Sequence, residues 1–156
     1  MPDGHKGIKE YKMQKQKILV SACLLGENCK YNGKSNKNGQ IIALAEKYEL
    51  IPACAEVLGG LSTPRPPSEI VGNRVISING DDVTANYQNG AKRVLEIALE
   101  NGCEIAILKA NSPSCGNKAV YDGTFTGTLR EGHGICAGLL IKNGIKILNE
   151  KEIDKL

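Results

Sequence analysis

Six cysteines in a chain of 156 residues are where this sequence has most chemistry to offer. Three of them, Cys23, Cys54 and Cys115, follow apolar runs that read as buried strands: Lys17–Ala22, Glu49–Ala53 and Cys103–Leu108. In open parallel sheets, ligand sites lie beyond the carboxyl ends of the strands. Thiols far apart in sequence are therefore expected to meet at one site. A reducing compartment disfavours disulfides, so clustered cysteines there act as metal ligands or nucleophiles. No Cys-x-x-Cys pair is present, which argues against a structural zinc knuckle. Dispersed thiols suit a cluster whose three protein ligands leave one iron open, or a substrate-activating thiol. The plain alternative is three buried thiols with no shared ligand. Cys103 opens its strand and should lie at the opposite edge of the sheet, and Cys136 falls in a predicted helix as a small buried hydrophobe. Cys29, in the loop after Cys23, is open between the site and a structural role.

The elements that must position these thiols alternate in type. After the first strand, a Gly- and Asn-rich loop from Gly26 to Gly39 leads to a short helix over Ile41–Tyr48. The second strand is followed by Gly59-Gly60 and Pro64-Arg65-Pro66-Pro67, too broken for a regular element. Arg74–Ile78 and Asp82–Ala85 flank Asn79-Gly80-Asp81 and predict a β-hairpin. Ala91, Val94, Leu95, Ala98 and Leu99 predict a helix over 86–100, closed by Asn101-Gly102. A glycine-rich stretch from Gly123 to Gly134 precedes a helix over 131–142, a strand over Ile145–Leu148 and a short terminal helix. The order predicts an α/β fold: a single domain with a mainly parallel sheet flanked by helices and a small β-hairpin insertion. Residues 17–156 form that domain, and residues 1–16 are read as a flexible basic tail.

Composition narrows the function classes. The net charge is +3, and Lys6, Lys9, Lys12, Lys15 and Lys17 against Asp3 and Glu10 account for all of it, leaving the body neutral. With no Trp and a single Phe, no stacking platform is evident either, so nucleic acid is not expected as a partner. No apolar run approaches a membrane span and no signal-peptide pattern opens the chain, so no membrane partner is expected and the expected location is the cytoplasm. The Gly123–Gly134 stretch lacks the Gly-Lys-Ser/Thr ending of a phosphate loop and reads instead as a lid carrying His133.

Three motifs in order resemble a known family. Val20-Ser21-Ala22-Cys23-Leu24-Leu25-Gly26 with Cys29-Lys30-Tyr31-Asn32-Gly33 resembles the opening motif of the uncharacterised-domain family 523, which includes bacterial thiouracil desulfidases. Pro52-Ala53-Cys54-Ala55-Glu56-Val57-Leu58-Gly59-Gly60-Leu61 with Thr63-Pro64-Arg65-Pro66-Pro67 resembles its second, and Lys109-Ala110-Asn111-Ser112-Pro113-Ser114-Cys115-Gly116 its third. Ala55 stands where Pro is expected and Asn32 where Asp is more usual; neither change removes a ligand. The resemblance implies a 4Fe–4S cluster held by Cys23, Cys54 and Cys115, and a non-redox desulfuration of a small thiolated substrate such as thiouracil, releasing sulfide. It places Glu56 and Ser112 as catalytic residues beside the cluster, with Glu56 as general base. Ser114, Lys109 and Arg65 are candidates for substrate binding. A turn, a solvated lysine and a structural ion pair between Arg65 and Glu69 are the respective alternatives. Two rival readings stay open. One is an iron–sulfur or thiol-based binding or sensor protein without turnover, using Cys29 as a fourth ligand; the other is a metal-free thiol enzyme with Cys115 as nucleophile.

Overall fold

The computed structural model describes residues 14–156; the predicted basic tail lies largely outside the described residues. Within them, Ile18, Leu19 and Val20 are completely buried, because their strand is central and covered on both faces. This strand, β1 (Gln16–Ser21), pairs in parallel with β2 (Tyr48–Ala53) on one side and β5 (Ile105–Leu108) on the other. β5 pairs in parallel with β8 (Lys146–Asn149), giving the sheet order β2-β1-β5-β8. The sheet is entirely parallel, as the alternation of elements predicts.

Alternating side chains of β1 feed two separate cores. Leu19, Ala106 and Leu108 pack against α3 (Thr84–Glu100) and α4 (Ile135–Lys142) through Ala91, Val94, Ala98, Ala137 and Leu140. Ile18, Val20 and Ile107 face the other way, onto Leu24, Ile41 and the half-buried Leu44, Ile153 and Leu156. On that side the cover comes from α1 (Gly39–Ala43), a 3-10 turn at Leu44–Glu46 and a 3-10 turn at Ile153–Lys155, where a terminal helix is predicted. Cys103 and Cys136 are buried in the first core, as their positions predict.

Two hairpins stand outside the main sheet, and both depart from the sequence reading. The first joins β3 (Ser68–Val71) to β4 (Arg74–Ser77) through Gly72-Asn73. The predicted partner run, Asp82–Ala85, is not a strand. The Asn79-Gly80 turn does form, closed by Gly80 N–H donating to Ser77 O at 2.8 Å, but only the single bridge Ile76–Asp82 follows it. The competing interaction is a cap-like one: the Asp82 carboxylate accepts from Thr84 N–H at 2.9 Å and from its hydroxyl at 2.6 Å, and the chain turns into α3. The second hairpin, β6 (Ala119–Tyr121) with β7 (Leu129–Glu131), forms where a glycine-rich loop is predicted and takes Glu131 from the start of the predicted helix.

A short helix, α2 (Ala55–Leu58), lies against α3 at backbone contact. A Cβ on Gly90 would sit 1.9 Å from Ala55 O, and one on Gly59 would sit 2.0 Å from Asn86 O. Only glycine permits this approach. Gly90→Ala is therefore expected to cost at least about 2 kcal/mol, at the upper end of overpacking effects because the obstacle is backbone; urea unfolding of the variant measures it.

Candidate active site

Cys54, Cys23 and Cys115 follow β2, β1 and β5, three adjacent parallel strands, and all three line one cavity of about 520 Å³. The chain runs from β1 to β2 on one side and reaches β5 on the other, so the cavity sits where the strand order reverses, the expected place for a ligand. The convergence expected from the strand ends is what the structure has.

Each thiol is held by local structure. Cys23 lies in a 3-10 turn, Ala22–Leu25, that follows β1 directly, and Asn36 donates to its Sγ at 3.4 Å. Cys54 caps the start of α2. Cys115 sits in a turn organised by Ser112, whose Oγ accepts from the N–H groups of Ser114 at 3.1 Å and Cys115 at 2.8 Å. The amide groups opening α4 close the same turn, with Ile135 N–H donating to Pro113 O and Cys136 N–H to Ser114 O, both at 2.9 Å. Ser21 Oγ bridges β1 to β5, accepting from Lys109 N–H at 3.1 Å and donating to Cys115 Sγ at 3.5 Å.

Cys29 joins the site. It is buried and lines the cavity, and its carbonyl accepts from the Cys54 thiol at 3.9 Å. The neighbouring Cys29 thiol is the main reason the Cys23 thiol is lowered to about 7 and the Cys54 thiol to about 6. Cys29 itself is pushed up by the same two neighbours and by burial. Burial pushes the Cys115 thiol up to about 12. Among the described residues, no group of three or more His, Cys, Asp or Glu side chains is arranged to hold a metal ion. A set that does not close around one ion can still suit a cubane cluster, whose cysteine sulfurs bind different irons. Four cysteine side chains on one cavity, two of them inclined to ionise near neutrality, form the soft donor set that such a cluster takes.

Glu56, in the first turn of α2, reaches the same cavity. Its Oε1 accepts from Tyr87 Oη at 2.8 Å and from Arg65 Nε at 3.1 Å. Both bonds fall on one oxygen, and Oε2 has no hydrogen-bond partner among the described residues. Tyr87, on α3, is 1% exposed, and burial together with the Glu56 charge keeps its phenol protonated. Sequence reasoning did not select Tyr87: it belongs to no motif, and its only signal is membership of the buried face of α3.

Arg65 pairs with Glu56, where the sequence reading has Glu69 as its partner. Its other donors reach Ser62 O, Thr63 Oγ1 and Cys29 O at 3.1, 3.0 and 2.8 Å. Glu69, also on the cavity, accepts instead from Gly123 and Phe125 N–H groups. Lys109 lines the cavity, with its ammonium 2.9 Å from Glu150. Ser114 is completely buried, does not line the cavity, and its Oγ has no hydrogen-bond partner among the described residues, which removes it from the substrate-facing set. His133 is likewise off the cavity, its Nδ1 2.7 Å from Asn117 O. The glycine-rich stretch does reach the cavity, through Phe125 and Gly127.

Comparison with known proteins supplies the family. An uncharacterised protein of Bacillus subtilis (strain 168), YbbK, is 40% identical over 149 residues, covering 89% of this chain and 99% of YbbK. A solved structure described as a [4Fe-4S]-dependent thiouracil desulfidase, TudS, superposes with a TM-score of 0.86 at 41% identity, covering 91% of this chain and 95% of that one. The sequence model of the 2-thiouracil desulfurase family matches residues 18–152, a span that takes in all three cysteine motifs. This chain belongs to the 2-thiouracil desulfurase family.

Proposed function

We propose that the protein hydrolyses the C–S bond of a small thiolated nucleobase such as thiouracil, using a [4Fe–4S] cluster held by Cys23, Cys54 and Cys115. The observation that carries this reading is the meeting of those three thiols with the Glu56 carboxylate on one cavity at the strand ends. When bound, such a cluster supplies an iron with an open coordination position, a Lewis acid for a thiocarbonyl sulfur. The overall reaction is balanced without any electron donor: thiouracil and water give uracil and hydrogen sulfide, as a C–O bond replaces the C–S bond.

The chain's own groups supply positioning and proton transfer. Glu56 Oε2 removes a proton from the attacking water and passes it on, while Tyr87 and Arg65 fix the carboxylate through Oε1. The Ser112 oxygen already accepts two N–H groups, so its hydroxyl proton remains to be donated to the substrate. Lys109, held by Glu150, presents a cation on the same wall. Arg65 is assigned to positioning, because Glu56, Cys29 and the Ser62–Thr63 segment occupy its donors. Tyr87→Phe removes one of the two bonds that orient Glu56 and is expected to lower kcat about tenfold with little change in KM, in line with one neutral-to-charged hydrogen bond. Steady-state kinetics on both constants check it.

Anaerobic reconstitution with iron and sulfide, followed by incubation with 2-thiouracil and an assay for released sulfide, tests the reading. Sulfide with stoichiometric uracil supports it, and a brown, iron-loaded protein that releases none overturns it. The position of Cys29 favours one alternative, a four-thiolate centre in a sensor without turnover. Cys29→Ser separates the two: an enzyme keeps its iron, and a four-ligand centre loses it. The metal-free thiol reading is separated by the same preparation: colourless, iron-free protein that still releases sulfide would favour it.

A further inference from the structure

We infer that the loop at residues 122–128 is the roof of the substrate cavity, with Phe125 as the ring that stacks on the bound base and Glu69 as the latch that holds it there. The inference rests on the desulfuration reading and names a substrate-binding residue and a positioning residue for it.

Glu69 lies in β3 and is only 8% exposed, yet among the described residues it has no cationic partner. A buried carboxylate needs compensating donors. Those it has are two backbone amides of one loop, with Gly123 N–H at 3.0 Å and Phe125 N–H at 3.1 Å, both on Oε1. More than fifty positions separate the partners in sequence, so the contact ties the β3–β4 hairpin to the loop of the β6–β7 hairpin at the cavity wall. Within the loop, hydroxyls link Asp122, Thr124, Thr126 and Thr128 in a row on the outer side.

Phe125 takes a φ of 58°, a left-handed conformation that a bulky residue adopts only when held there. Its neighbours Thr124 and Thr126 are exposed, whereas Phe125 lines the cavity. Tyr31 and Tyr121 line the cavity as well. A planar heteroaromatic ring is the ligand that a roof carrying an aromatic face suits, and stacking of this kind tolerates any base because every base has a π-face.

Cluster-reconstituted protein, handled without oxygen, allows two measurements. Amide hydrogen exchange followed by mass spectrometry reads the loop, and calorimetric titration with uracil, the unreactive product, reads the stack. Glu69→Ala is expected to raise exchange at Gly123 and Phe125 by at least about tenfold, while Glu69→Gln, which keeps an acceptor oxygen, keeps the protection. Phe125→Ala is expected to weaken uracil binding by about tenfold or more, and Phe125→Tyr to restore it. Native-like exchange in Glu69→Ala, or native-like affinity in Phe125→Ala, overturns the inference. If the native chain binds uracil but releases no sulfide from 2-thiouracil, the desulfuration reading falls and this one stands. If it releases sulfide but binds no uracil, this inference falls and the desulfuration reading stands.

Discussion

Glu56→Gln is expected to lower the rate of sulfide release from 2-thiouracil by about a hundredfold or more, the range for loss of a general base. The variant isolates proton transfer from geometry. Glutamine has the size of glutamate, and its amide oxygen can still accept from Tyr87 and Arg65, so the side chain keeps its place. What disappears is an oxygen able to take a proton. The thiols are untouched, so iron content and the visible spectrum should match the native protein, and KM should move little. Near-native turnover with a full complement of iron would remove Glu56 from the mechanism.

The second large effect concerns the thiols. Cys23→Ser, Cys54→Ser and Cys115→Ser are each expected to lose the brown chromophore and to reduce sulfide release to background. A hydroxyl is a poor substitute for a thiolate on iron. Cys29→Ser is expected to keep most of its iron, because the contacts Cys29 makes to Cys54 and Arg65 run through its carbonyl, which the replacement leaves in place. Retention of iron after any one of the first three replacements would show that the assigned ligand set is wrong. Iron analysis and absorbance on protein purified without oxygen decide both halves.

The motifs and the strand ends made the core of the site legible in sequence. A buried parallel strand announces itself as a continuous apolar run, and Ile18-Leu19-Val20 is one because both of its faces are covered. Knowing that strands end at Ser21, Ala53 and Leu108 puts Cys23, Cys54 and Cys115 on one edge without further information. The hairpins were less legible. Asn79-Gly80 is a real turn, but whether the chain continues as a strand or a helix depends on Asp82 and Thr84 bonding to one another, which competes with pairing in a way no hydrophobic pattern records.

The alternation of buried strands and helices, the place of three thiols beyond strand ends, and the chemistry such thiols can do are all legible along the chain. These follow from local patterning, which a chain carries in its order of residues. The company those residues keep is set by packing: Cys29 with Cys23 and Cys54 on one cavity, Tyr87 and Arg65 on one oxygen of Glu56, and Glu69 on the amides of a loop. Each of these contacts joins segments whose proximity depends on how whole elements pack, as when Gly59 and Gly90 let α2 and α3 touch. Hydrogen bonds act over a few ångströms, so their partners are settled by packing and not by spacing along the chain.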